Sequence, residues 1–323
     1  RQGRCLPYGD GIAFWALGEI VKAECGILDT DSPDEAEAKL ERALPRDEPD
    51  VLWLKARLGP LVGLPGEPAA QEETFAAWRR FCEGLAATGP AVLVFEDLHW
   101  ADEALLAFLE HLADWAEGVP LLLLCTARPE LYEQHPGFGA KARNAQRINL
   151  PPLTDEETAR LVASLLERSL LSTEMQQALL ERAGGNPLYA EEFVRLLSDR
   201  GELGETAAVP DSVQALIAAR LDTLPAERKS LLQDAAVLGK VFWTGALGRS
   251  GDATPLLHSL ERKGFLIRQR RSSVESESEW AFAHMLLRDV AYRQIPRAER
   301  AQKHRETAEW IESLGRSDDH AEL

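Results

Sequence analysis

The chain has 323 residues, a formal net charge of −17 and 45% hydrophobic content, which excludes a disordered or fibrous protein and gives room for two or three globular domains. Its average field repels phosphate backbones and anionic lipid surfaces, so neither nucleic acid nor a membrane is an expected partner. Cys5, Cys25, Cys82 and Cys125 stand far apart with no C-x-x-C pair. That suits reduced thiols serving as small core residues in a cytosol better than a disulfide frame or a zinc site. No apolar run approaches the length needed to span a bilayer, and a cytoplasmic chain is expected.

The first 30 residues offer neither an initiator Met nor a polar leader before their apolar residues, so a preceding segment is expected. From about 29 to 72 an acidic, Pro-rich stretch predicts short helices joined by loops. A helix follows around "EETFAAWRRFCEGLAA" and is stopped by Gly89-Pro90. "AVLVF" and "PLLLLCTA" are continuous apolar runs of strand length, separated by an amphipathic helix. They predict a β-α-β unit in a parallel sheet buried on both faces. In that helix Leu105, Leu109, Leu112 and Ala116 share one face, and Asp102 is placed to cap the first turn. "RINL" reads as a shorter strand ending at Pro151-Pro152.

From Thr154 the pattern becomes helical. "TDEETARLVASLL" carries a capping box, Thr154 with Glu157. "STEMQQALLERAGG" ends at glycines suited to a left-handed C-cap, and the next helix starts with Asn186 as N-cap and Pro187 at its first position. After the linker "ELGETAAVPDS" come helices near 212–222, 226–238 and 253–263. Then "GFLIRQRRSSVESESEWAFAH" reads as a two-stranded ribbon with a polar tip, followed by more helix, which suggests a winged-helix arrangement. The expected division is an α/β domain over 1–150, a helical domain over 151–208, a winged-helix domain over 209–314, and the start of a further helical region over 315–323.

The run "AVLVFEDLHWADEALLAFLEHL" ends its apolar strand in two acids, Glu96 and Asp97. Carboxylates at the C-terminal edge of a buried parallel strand lie where open α/β sheets bind ligands. Magnesium prefers hard oxygen ligands and keeps most of its waters, so one carboxylate can hold it through water while the other orients an attacking water. Glu96 and Asp97 therefore fit a Walker B pair. The alternative is that both acids simply leave the strand and solvate the start of the next helix.

"VLVFEDLHWAD", "CTARPE", "GGNPLYAEEF" and "FAHMLLRDVAY", taken in that order, resemble the signal-transduction NTPases called STAND. The resemblance is to bacterial ATPases of that class fused to nucleotide cyclase or LuxR-type DNA-binding domains. It runs over essentially the whole chain, and "GRCLPYGDGIAFWAL" is similar to the segment that follows the P-loop helix in those proteins. It implies a P-loop NTPase-like parallel sheet, incomplete here, followed by an all-α domain and a winged helix, with ATP or ADP and Mg2+ as ligands. By the same resemblance Glu96 binds the magnesium shell through water, Asp97 polarises water, and Arg128 senses the γ-phosphate. It likewise implies that Asn186 and Pro187 present a helix N-terminus to the nucleotide with the proline on adenine, and that His284 touches the β-phosphate of ADP; Met285 replaces the usual Asp. Locally, Trp100 reads as packing, Asp102 and Asn186-Pro187 as helix starts, Arg128 as a surface arginine, and His284 as a structural histidine.

No G-x-x-x-x-G-K-[ST] occurs in the sequence, so the backbone cradle and lysine that hold phosphates are lacking and the chain by itself is not expected to hydrolyse ATP. A fragment of a larger regulatory ATPase is expected, switching between ADP-closed and ATP-open states. The resemblance places cyclase or DNA-binding output domains and TPR-like repeats elsewhere in the parent, with a regulatory partner of unknown identity and an ATP-dependent oligomer. Two other readings remain: a non-hydrolysing protein-interaction scaffold, and a DNA-binding regulator using Arg268, Arg270, Arg271 and the basic stretch from Arg293 to Arg305.

Overall fold

The computed structural model describes residues 1–6, 13–44, 50–87, 89–140, 142, 144–166, 171–201, 210–248 and 253–314. The chain divides into two compact units, Arg1–Ile148 and Asn149–Leu323. The expected helical segment over 315–323 and most of the linker after Gly201 lie outside the described residues.

The first unit is built on three parallel strands, β1 (Gln2–Arg4), β2 (Ala91–Glu96) and β3 (Leu121–Cys125), in the order β1-β2-β3. β2 is central, with Arg4 opposite Glu96 on one side and Phe95 opposite Cys125 on the other. Helix α1 (Trp15–Cys25) follows β1, and α2 (Pro33–Ala43) and α3 (Val51–Leu58) fall in the acidic, Pro-rich stretch. Helices α4 (Gln71–Ala87) and α5 (Glu103–Trp115) flank β2 in sequence, and the short α6 (Glu130–Gln134) follows β3. The Asp102 carboxylate accepts the Leu105 N–H at 2.7 Å, as the sequence predicts for the cap of α5.

One face of this sheet is sealed. Leu93 and Phe95 are fully buried against α1, α4 and α5, where Phe14, Phe75, Trp78 and Phe108 form a cluster of edge-on and tilted rings at 4.6–6.3 Å between centroids. Burying each such side chain contributes about 1.5–3 kcal/mol. The other face corrects the expectation of a sheet buried on both sides: Val92, Leu122 and Leu124 are 42%, 56% and 50% exposed. Continuous apolar runs encode two hydrophobic faces, and here the described helices cover only one of them. "RINL" is a second correction, since residues 147–150 form no strand and Ile148 and Leu150 are exposed. Cys5 and Cys82 are core residues as expected, whereas Cys125 is exposed at the strand end.

In the second unit α7 (Asp155–Leu166), α8 (Thr173–Ala183) and α9 (Pro187–Arg200) surround one apolar core. The Thr154–Glu157 capping box is present, with N–H donors bonded in both directions at 2.9 and 3.2 Å. Helices α10 (Val213–Asp222), α11 (Ala226–Leu238) and α12 (Thr254–Arg262) precede an antiparallel ribbon of β5 (Leu266–Arg268) and β6 (Glu279–Phe282). A strand not anticipated, β4 (Val241–Trp243), pairs with the other edge of β6, giving the order β4-β6-β5. Helices α13 (Met285–Arg293) and α14 (Arg297–Ser313) complete the described fold. Among the described residues no helix is long and apolar enough to cross a membrane.

The two sheet faces should respond differently to substitution. Leu93→Ala on the sealed face is expected to destabilise the chain by about 2–5 kcal/mol. Leu122→Thr on the open face should stay within about 0.5 kcal/mol. Denaturant midpoints of the two variants check this.

Candidate functional site

The C-terminal edge of the first sheet collects the chemistry. Past Glu96 the chain turns sharply: Asp97 takes a left-handed conformation, φ 61° and ψ 39°. A non-glycine residue there is uncommon, and Asp is among the types that tolerate it. Backbone bonds lock the turn from both sides. The Cys5 N–H donates to the Glu96 carbonyl at 3.0 Å, the Thr126 N–H to the Phe95 carbonyl at 2.9 Å, and the Leu98 N–H to the Thr126 carbonyl at 2.9 Å. The Asp97 N–H also reaches Thr126 Oγ1 at 3.3 Å. A short 3-10 turn, Leu98–Trp100, then leads to the cap of α5.

Arg4, at the end of β1, was not singled out by sequence. Its Nη2 donates to Glu96 Oε2 in a close ion pair, and its Nε lies 3.4 Å from Asp97 Oδ2. One cation thus neutralises both acids of the pair. Behind Arg4, its backbone N–H donates to Glu19 Oε2 of α1 at 2.7 Å. A three-residue strand is too short to show a period; the only cue was a polar residue beside Cys5.

His99 and Trp100 stack with ring centroids 4.4 Å apart, and the Arg128 guanidinium lies 5.8 Å from the centre of the Trp100 ring. Burial, and next the Arg128 charge, push His99 below the ordinary histidine value, so it is neutral at pH 7. Both its ring nitrogens are enclosed without a hydrogen-bond partner. Arg128 itself is exposed. The structure therefore brings Glu96, Asp97 and Arg128 to one sheet edge, together with Arg4. The nearby Cys5 thiol is not a nucleophile: burial pushes it up to about 12.

The remaining predicted residues belong to the second unit. The Asn186 side chain caps α9, accepting the N–H groups of Leu188 and Tyr189 at 3.0 and 3.4 Å, with Pro187 at the first helical position. His284 stands between β6 and α13 without capping the helix through its side chain. All three are exposed.

Magnesium needs hard oxygen donors, and Glu96 and Asp97 supply them. No group of three or more His, Cys, Asp or Glu able to hold a metal occurs among the described residues; a hard cation on two carboxylates keeps several of its waters.

Residues 1–124 match the AAA ATPase domain family. Over these residues the chain is similar to an AAA ATPase domain. A domain of unknown function matches residues 154–203. An uncharacterised protein of Rhizobium meliloti, R02095, is 28% identical over 286 residues, covering 79% of this chain and 26% of that protein. The chain thus spans about a quarter of the length of that relative. Among solved structures, a point mutant of RuvB from Thermotoga maritima is 14% identical with a TM-score of 0.30, covering 86% of this chain and 95% of that one. Orc1 of Aeropyrum pernix in complex with DNA is 13% identical with a TM-score of 0.35, covering 92% and 94%.

Glu19 gives this edge a pH signature. Burial pushes its carboxyl up to about 7, against the Arg4 N–H bond, which lowers it. A carboxyl raised in the folded state adds stability that is fully present below the ordinary carboxylate range and is lost as pH rises through about 7. The melting temperature is therefore expected to fall between pH 5 and pH 8, with Glu19→Gln flattening that dependence in a thermal scan series.

Proposed function

We propose that the chain is part of a STAND-type regulatory ATPase, in which ADP holds a closed state and ATP an open one. The observation that carries this reading is the acid pair at the end of a central parallel strand, inside a region similar to AAA ATPase domains. Glu96 would hold Mg2+, Asp97 would orient water beside it, and exposed Arg128 would meet the γ-phosphate. When bound, Mg2+ supplies charge neutralisation for the phosphate oxygens. Arg4 pairs with both Glu96 and Asp97 at the sheet edge. Asn186 and Pro187 present a helix N-terminus, a natural partner for an anion or a nucleotide, and His284 serves as the ADP contact. In this reading residues 209–314 are a winged-helix domain with β5 and β6 as the wing. The phosphate cradle comes from a P-loop upstream in the parent polypeptide. Cyclase or DNA-binding output domains and TPR-like repeats are also proposed parts of the parent, with a cytoplasmic location and an ATP-dependent oligomer.

Calorimetric titration of ADP and of ATP with magnesium tests this, on the chain and on the parent polypeptide extended through its P-loop. Binding is expected for the extended protein alone. Asp97→Asn, which the left-handed backbone accommodates, should keep binding while hydrolysis falls at least a hundredfold. Absence of nucleotide binding by both would leave the scaffold reading in its place.

A further inference from the structure

An arginine stays charged at every accessible pH, so one that is fully enclosed must find acceptors for its fork of donors. Arg220 on α10 is completely buried. Its Nη1 donates to Glu192 Oε2 at 2.6 Å, its Nε to Asp199 Oδ2 at 3.3 Å, and its Nη2 to the Lys263 carbonyl at 2.6 Å. The Phe265 ring centre lies 4.2 Å from its guanidinium carbon. Glu192 and Asp199 lie on α9, two turns apart; Lys263 and Phe265 flank Gly264 in the turn from α12 to β5. The same turn is tied to α9 twice more. Arg195 Nη1 donates to the Gly264 carbonyl at 3.0 Å, and Lys263 Nζ pairs with Asp199. Gly264 has φ +73°, a conformation that a larger residue adopts only with strain, and a Cβ there would push the Arg195 guanidinium aside.

Apolar packing runs along the same line. Leu216 of α10 belongs to the core of α7, α8 and α9, whereas Ile217 and Leu221 belong to the core that includes Phe242, Phe265 and Phe282. One helix thus serves two cores, with Arg220 beside their junction. The turn connects onward to the end of β6, because the Ala283 N–H donates to the Phe265 carbonyl at 3.0 Å. His284 is the next residue.

We propose that Arg220 is a positioning residue that welds α9 to the turn between α12 and β5, so that α8 and α9 move as one rigid body with α10–α13 and the β5–β6 ribbon. The exposed helix end at Asn186 and Pro187 and the exposed His284 then keep a fixed separation whatever ligand either meets. This goes beyond the nucleotide reading and stands without it: any opening of the protein occurs at some other joint.

Hydrogen exchange read by mass spectrometry on the full chain tests the weld. In the wild type, α9 and the β5–β6 ribbon should exchange through the same opening, with equal protection. Arg220→Met, which strands Glu192 and Asp199, should lower protection of α9 relative to the ribbon by about a hundredfold or more. Arg220→Lys keeps the charge but cannot serve three acceptors from one plane, and should fall between the two. If Arg220→Met does not fold, the isosteric Glu192→Gln carries the same comparison, with a difference of about tenfold expected. Equal loss of protection in both segments would overturn the proposal, since a residue that merely adds stability lowers both alike. So would a wild-type α9 that opens independently of the ribbon.

Discussion

Strand β2 must be paired on both sides, because Leu93 and Phe95 are sealed from water and the backbone polar groups around them have only neighbouring strands to bond. That constraint positions everything at the sheet edge. β1 and β3 lie where β2 needs them, so their ends at Arg4 and Cys125 arrive level with Glu96 and Phe95. The chain then leaves the sheet through a left-handed Asp97, held by bonds from both neighbouring strand ends. Two carboxylates on consecutive residues would ordinarily point to opposite faces of a strand. The turn at Asp97 breaks that alternation and brings both within reach of one guanidinium.

Charge balance at this edge is local. Glu96 and Asp97 are like charges on adjacent residues, and Arg4 lowers the repulsion between them by pairing with both. Neutral His99 stacked on Trp100, with Arg128 over the indole, adds a polarisable wall. The sequence singled out the two acids because they end a long apolar run, and Arg128 through the resemblance to the STAND class. Arg4 escaped because its strand is three residues long and its role depends on pairing with a residue 92 positions away.

The same reason sorts the rest of the fold. Helices α4, α5 and α7–α12 were legible from period, caps and glycine or proline stops, all of which are local signals. β4 was not, since "VFW" is too short to show alternation and is a strand only because β6 offers it an edge. "RINL" failed in the opposite sense: its composition suits a strand, yet residues 147–150 have no partner strand among the described residues. The open face carrying Val92, Leu122 and Leu124 was invisible for a related reason, because a strand's letters state which faces are apolar and never which neighbours cover them.

Two ways of holding an arginine distinguish the two units. Arg4 and its acids are partly exposed, at 19%, 28% and 38%. Water and salt therefore weaken the pair. Arg220 and Glu192 have no exposure at all, and separating them would strand an unpaired charge in an apolar interior at several kcal/mol. A contact that must respond to a ligand needs the first arrangement, and a contact that must transmit motion without yielding needs the second. The acid pair is open to solvent, whereas the joint at Arg220 is closed to it.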